Sequence, residues 1–438
     1  MTIESAIAAR QESASVSTST APAVGRASTA RRGWSGPVRT VAAWGLIAGL
    51  IGFNAWWYRR EARPLADART IDGWIARGDS ARAESELNER LRRAPHDVAA
   101  RMTLSRVLAG RGDLLGCARE LEKVPYWSPL KAEAMFRAAQ ALLAADRARD
   151  AEAVLLKIMD ADPLHPPDAG LFHDASQELL KIYAAEDRWE DAYPVMWKAF
   201  DRAAPGDRPV MLTMRIRAEL ERVSQVESVK ILRRYVAADP SDFEALRALA
   251  NAELAIGEGA EALARMESCL RARPDDPRAW RDYLTMLQSL GDQDAFAAAI
   301  ARVPRSADSE PEIAMFRGQV KEREGNWAGA ASDYRRALEL NPNLLNAHYR
   351  LATIEGRLGH REQAAPHRKR WEELREARSQ LRRLNDEYRA ALDAASAAEP
   401  KPTAVAELRA VTKRLGSACE TLGWARVAEA CRQIVGDL

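Results

Sequence analysis

The chain has 438 residues, and its 65 lysines and arginines face 63 aspartates and glutamates, a net charge of +2 at neutral pH. So even a balance excludes a strongly basic nucleic-acid binder and a disordered polyanion, and no nucleic-acid partner is expected. Hydrophobic residues make up 47% but aromatic ones only 6%, and much of the apolar total is alanine, which suits closely packed helices better than sheets.

Residues 1–38 read as a disordered tail. Up to Gly33 they hold no aromatic side chain and are rich in Ala, Ser and Thr, too little apolar surface to offset the entropy of ordering. Residues 39–60 read as a single transmembrane helix. Thr40 to Tyr58 carry no charge between Arg39 and the Arg59–Arg60 pair, and at helical rise they span about 28 Å, close to a bilayer core of about 30 Å. Trp44, Trp56, Trp57 and Tyr58 suit the two interfaces. Gly45, Gly49 and Gly52 set small residues at helical spacing, which would let two membrane helices approach and form a homodimer. The expected location is the cell membrane, single-pass. Flanking arginines are nearly even on the two sides. A long C-terminal domain crosses largely regardless of charge, so the repeats are placed outside the cytoplasm.

From residue 64 the chain keeps a period of 34. Pro95, Pro129 and Pro163 share it, as do Pro240 and Pro274, and Gly257, Gly291, Gly325 and Gly359 repeat it three times. A fixed period of this size marks a solenoid. Each glycine reads as the left-handed residue ending a first helix. Asp79, Asp113, Asp292 and Asn326 follow such glycines and read as N-caps of the second helix. The prolines open the next unit.

This pattern resembles the tetratricopeptide repeat. In the unit Pro311–Leu344 the residues carrying the likeness are Gly318, Ala330, Tyr334, Ala337 and Pro342, and the small side chain recurs at Ala83, Ala151, Ala192, Ala262 and Ala364. The family's frequent Trp at position four is kept only by Trp280. The resemblance implies an all-α, right-handed α-solenoid over 64–378. Nine units are expected: Pro64–Asp97, Val98–Lys131, Ala132–His165, His173–Gly206, Pro209–Asp242, Phe243–Asp276, Pro277–Glu310, Pro311–Leu344 and Leu345–Arg378. Leu164 to Phe172 reads as an inserted loop, and the fifth unit lacks its turn glycine. Residues 379–438 read as a long helix running on to Ala395, a short linker, and a capping pair broken at Gly416. Cys419 and Cys431 read as lying on one helix, about 18 Å apart, and all four cysteines read as packing residues.

No phosphate loop, His-Glu-x-x-His or Gly-x-Ser-x-Gly motif occurs, and the six histidines show no metal-ligand spacing. No catalytic residue, metal or cofactor is expected, and the chain is read as not an enzyme. Stacked hairpins curve, and their first helices line a concave face. By resemblance the inward positions include Arg247, Asn251, Arg278, Arg281, Gln319 and Tyr349, which form the expected partner groove. Its arginines, read as facing solvent in the free protein, would take the carboxylates of an acidic peptide. The bland alternative is a solvated face with its own ion pairs. Some family members clamp a peptide carboxylate at these places, but Asp282, Glu312 and Phe316 break that pattern here. The expected function is a membrane-anchored protein-interaction scaffold in envelope assembly, secretion or chaperoning. The alternative is a glycan- or peptidoglycan-binding component of polymer export, for which Trp280 and Tyr349 are the available groove aromatics.

Overall fold

Left-handed turn residues and acidic caps cut the chain into helical hairpins. The computed structural model describes residues 64–160, 167–220, 224–397 and 402–438. The expected tail at 1–38 and membrane helix at 39–60, with Gly45, Gly49 and Gly52, lie outside the described residues. Among the described residues no helix is long and apolar enough to cross a membrane, and the regular structure is all helical. Ala66–Leu438 pack as one unit.

Four hairpins come first: α1 (Ala68–Ala76) with α2 (Ser80–Arg93), α3 (Val98–Gly110) with α4 (Leu114–Glu122), α5 (Lys131–Ala144) with α6 (Ala148–Met159), and α7 (Ala169–Ala185) with α8 (Trp189–Arg202). Then follow α9 (Arg208–Leu220), α10 (Gln225–Ala238), α11 (Phe243–Ala255), α12 (Gly259–Ala272), α13 (Pro277–Leu290) and α14 (Gln293–Ile300). A 3-10 turn at Arg305–Ser309 leads into α15 (Pro311–Arg323), α16 (Trp327–Leu340), α17 (Leu345–Arg357), the long α18 (Arg361–Ala395), α19 (Pro402–Thr421) and α20 (Ala425–Asp437).

The local signals act where the sequence places them. Gly78, Gly112, Gly257, Gly291, Gly325 and Gly359 all have φ between 75° and 94°. Asp113, Asp292 and Asn326 accept from Gly116, Ala295 and Gly329 backbone N–H at 2.8, 2.9 and 3.0 Å. First helices are capped too, by Asp97, Asp242 and Asp276. The third and fourth turns use Asp146 (φ 59°) and Asp187 (φ 52°) instead of glycine. Aspartate tolerates this region better than most side chains because it bonds locally. The small residues lie in the core: Ala83, Ala151, Ala192, Ala262 and Ala330 are fully buried.

The chain departs from nine equal units at three places. The fourth hairpin begins at Ala169, capped by Asp168, so Phe172 is a buried helical residue and not loop. The expected fifth unit, Pro209–Asp242, is split. Helix α9 packs on α8, α18 and α20, whereas α10 packs on α11 and α7. The cause is apolar: Leu212 and Ile216 of α9 bury completely in a cluster with Phe200, Leu381, Tyr388, Leu408, Leu415 and Ile434. Tyr388 donates to the Pro209 carbonyl at 3.1 Å, and Arg208 pairs with Asp437 at 3.0 Å. The C-terminal helices therefore close onto the middle of the chain. The third difference is that α19 runs through Gly416 and turns at Gly423, φ 79°. Gly416 is a contact point, since a Cβ there would lie 3.0 Å from Cys431 Cβ. Cys419 and Cys431 thus occupy two helices, both buried.

Two glycines separate packing from propensity. A Cβ on Gly318 would lie 2.9 Å from the fully buried Tyr334 ring, whereas one on Gly356 meets nothing within 4 Å. Gly356→Ala should stabilise by up to about 1 kcal/mol through helix propensity. Gly318→Ala should instead destabilise, by about 1–3 kcal/mol from overpacking. Chemical denaturation of the two variants checks both signs.

Candidate functional site

Helix α13 is started by the Asp276 cap and Pro277, and it carries Arg278, Arg281, Thr285 and Gln288 along one face at helical spacing. Helix α11 brings Glu244, Arg247 and Asn251 beside it, and α15 and α17 continue the row with Gln319 and Tyr349. The structure brings Arg247, Asn251, Arg278 and Arg281 together, but none of these arginines is free in the way the sequence suggests.

Arg247 is 4% exposed and Asp282 9%. Arg247 donates to Asp282 through Nη1 and to Glu244 through Nη2 at 3.1 Å, while Asn251 Nδ2 donates to Asp282 at 2.9 Å. Burial works against the Arg247 charge, yet the Asp282 and Glu244 carboxylates hold the guanidinium above its ordinary pKa. So the residue that breaks the family's carboxylate clamp supplies a carboxylate of its own to its first two positions.

Further partners come from the fourth hairpin, some ninety residues earlier, and from Glu310 at the start of α15. Arg278 grips Asp191 with two hydrogen bonds, at 2.9 and 3.1 Å, and lies 3.4 Å from Glu190. Arg281 reaches Glu190 at 3.2 Å and Glu310 at 3.1 Å. Burial alone would raise the Asp191 carboxyl, but hydrogen bonds from Arg278 and Arg188 hold it below its ordinary value. Arg188, at the start of α8, donates to Glu152 at 2.9 Å, Glu186 at 2.7 Å and Asp191 at 2.8 Å. Burial pushes the Glu186 carboxyl up to about 8 against the pull of Arg188. Around these four arginines the carboxylates outnumber the guanidiniums. The wall is neutralised by the chain itself, through pairs that join hairpins far apart in sequence.

Gln319 and Tyr349 lie outside this network. Gln288 Nε2 donates to Gln319 Oε1 at 2.5 Å. Tyr349 is 51% exposed and its ring stands 5.4 Å from Trp371 of α18. Trp371 was not singled out from the sequence, although its place on a helix following the ninth turn is the available signal. Trp280 is buried and donates to the Pro274 carbonyl at 2.7 Å, so its ring is not offered for stacking on a sugar. Among the described residues no group of three or more His, Cys, Asp or Glu side chains could hold a metal ion.

Behind Tyr349, His348 and His367 face each other with their Nδ1 atoms 3.0 Å apart. His348 Nε2 donates to the Pro342 carbonyl at 2.9 Å, which leaves its Nδ1 as the acceptor from His367 Nδ1–H. Burial holds both rings below the ordinary histidine pKa.

Residues 243–286, which cover α11, α12 and most of α13, match the tetratricopeptide repeat family. The matched stretch is one hairpin and the following helix, and the glycine turn recurs at Gly78, Gly112, Gly291, Gly325 and Gly359. Among solved structures, a crystal structure of MamA is 17% identical, covering 36% of this chain and 91% of that one with a TM-score of 0.31. A structure titled MamA 41-end from Desulfovibrio magneticus RS-1 is 20% identical, covering 40% and 99% with a TM-score of 0.31. No curated protein matches the sequence.

Two predictions follow from the charges. Asp282→Ala leaves the buried Arg247 without its main counter-charge and should cost about 3–5 kcal/mol in denaturant unfolding, with Asp282→Asn costing less. The histidine pair stabilises the fold fully above the unfolded histidine pKa of about 6.5, and that contribution is lost as pH falls through the depressed folded values. Glu186 slopes the other way, so a variant difference is needed. The stability gap between wild type and His367→Gln should narrow from pH 7.5 to pH 5.

Proposed function

We propose that the chain is a membrane-anchored scaffold, not an enzyme, that holds a protein partner against the inner face of its second stack of hairpins. The observation that carries this reading is the row Gln288, Gln319 and Tyr349 on three successive first helices, α13, α15 and α17. Unlike the arginines beside it, this row has no charged partner among the described residues. Amide and phenol groups on successive first helices, with the Tyr349–Trp371 pair at one end, offer hydrogen bonds and apolar area together. Aromatic side chains of this kind anchor protein interfaces. The tetratricopeptide match over 243–286 supports a protein as the guest.

The anchor is the 39–60 segment, with the repeats outside the cytoplasm. That layout suits a role in envelope assembly, secretion or chaperoning, and a homodimer through Gly45, Gly49 and Gly52 belongs to the same proposal.

Photo-crosslinkers placed in turn at Gln288, Gln319 and Tyr349 in cells should capture one and the same protein. A crosslinker at the exposed Arg336 of α16 should not. Capture from Arg336 alone would move the interface to the outer helices. For the anchor, the full chain should stay in the membrane fraction through alkaline carbonate washing. Protease admitted past a permeable outer barrier should digest the repeats. Protection of the repeats would place them in the cytoplasm.

A further inference from the structure

The chemistry of a guest for the arginine face of α13 is displayed by the chain itself. Glu190 and Asp191 are consecutive residues in the first turn of α8, and they meet Arg281 and Arg278, which stand three apart on α13. Two neighbouring carboxylates thus span two guanidiniums at i and i+3. The match is close for Asp191, held by both Nη atoms of Arg278. It is loose for Glu190, whose side chain is 61% exposed and sits 3.2–3.4 Å from its two partners. Arg278 and Arg281 keep 31% and 22% of their side chains in solvent, so their outer edges are accessible.

The hairpin carrying Glu190 and Asp191 does not depend on them for its place. Its helix is anchored by Ala192, Val195 and Phe200, all buried, and its turn by Arg188, which keeps Glu152 and Glu186 when its bond to Asp191 is given up. The two carboxylates can therefore leave the arginines by side-chain rotation while the backbone stays. If they do, the guanidinium of Arg278 is uncovered and that of Arg281 keeps only Glu310 and Asp282, on the same inner surface that continues to Gln288 and Gln319.

We propose that Arg278 and Arg281 form a binding site for a protein segment bearing two adjacent carboxylates, held closed in the free protein by the chain's own Glu190–Asp191. This rests on the scaffold reading and names the partner class for one end of its surface. Bidentate pairing of guanidinium with carboxylate supplies the recognition, and the internal carboxylates set a threshold that only a well-matched guest passes. Because the competing pairs are part-exposed, both the closed and the guest-bound states weaken with salt.

The test uses the full chain in detergent and a synthetic octapeptide of the sequence Glu-Asp-Arg-Trp-Glu-Asp-Ala-Tyr, residues 186–193. The control peptide has Gln-Asn for both Glu-Asp pairs, since the first, residues 186–187, is also a pair of adjacent carboxylates. The isosteric double variant Glu190→Gln, Asp191→Asn should bind the octapeptide at least tenfold more tightly than wild type. The gain should vanish with the control peptide, with Arg281→Gln added, and at about 1 M salt, where the Debye length is about 3 Å. Equal affinity in wild type and double variant, or equal binding of the control peptide, would overturn the proposal. Should the double variant unfold at the assay temperature, Glu190→Gln alone carries the same expectation with a gain of about threefold, and no gain there overturns it too. No cellular partner enters this assay, so its failure is separate from a failure of crosslinking at Gln288, Gln319 and Tyr349.

Discussion

A helical hairpin has one apolar face and cannot cover it alone. Each hairpin here depends on the next for its core, and the requirement passes along the chain until something ends it. Most of the sequence can be read as an answer to that constraint. Alanines at the hairpin crossings bring two helices close enough for the next pair to cover both, and Tyr334 reaches over Gly318 only because that residue has no side chain. The C-terminal end is resolved by return: Leu212 and Ile216 of α9 leave their sequence partner and give their faces to α18, α19 and α20.

Where the two stacks meet, apolar contact runs through α10, whose Tyr235 packs on the first core, and charge pairs run beside it. The cores built around Ile71–Val195 and around Phe243–Ile354 are separate clusters. Between them run Arg278 with Asp191, Arg281 with Glu190, Arg234 with Asp146, and Arg147 with Asp239. Such pairs are directional, so they fix the register of one stack on the other. Part-exposed pairs contribute little net stability each, and the join is accordingly less firm than either stack.

What the sequence discloses follows the range of the interaction. Turn glycines, aspartate caps and crossing alanines act within a few residues, and a 34-residue period makes them readable. Asp146 stands 34 residues after Gly112 and takes the same left-handed turn, so the period could have located it where residue type did not. The charge balance of the inner wall was not legible, because Glu190 and Asp191, which meet Arg281 and Arg278, lie in another hairpin and nothing local marks them as partners. Asp282 was the exception, visible at a position where the family's pattern fails. The split between α9 and α10 was hidden for the same reason: the apolar faces that draw α9 away belong to the last sixty residues. Gly416 misled because a glycine within a helix looks like a stop until its neighbour, Cys431, is known.

The closure of the C-terminal helices has a mechanical side. An open solenoid is a spring with two loose ends, and it yields by peeling one repeat at a time from whichever end is pulled. Here Tyr388 on the Pro209 carbonyl and Arg208 on Asp437 buckle the last helices to the middle of the chain. Force on the C-terminus is carried to α9 before it reaches α17, and the stretch between can neither peel from that end nor lengthen until the buckle opens. Among the described residues the compliant part is the run of helices from α1 to α4, which holds none of the pairs that tie the α5–α6 turn to α10 and its end. A load entering from residue 64 would be absorbed there first, leaving the inner wall of α11 to α17 undistorted.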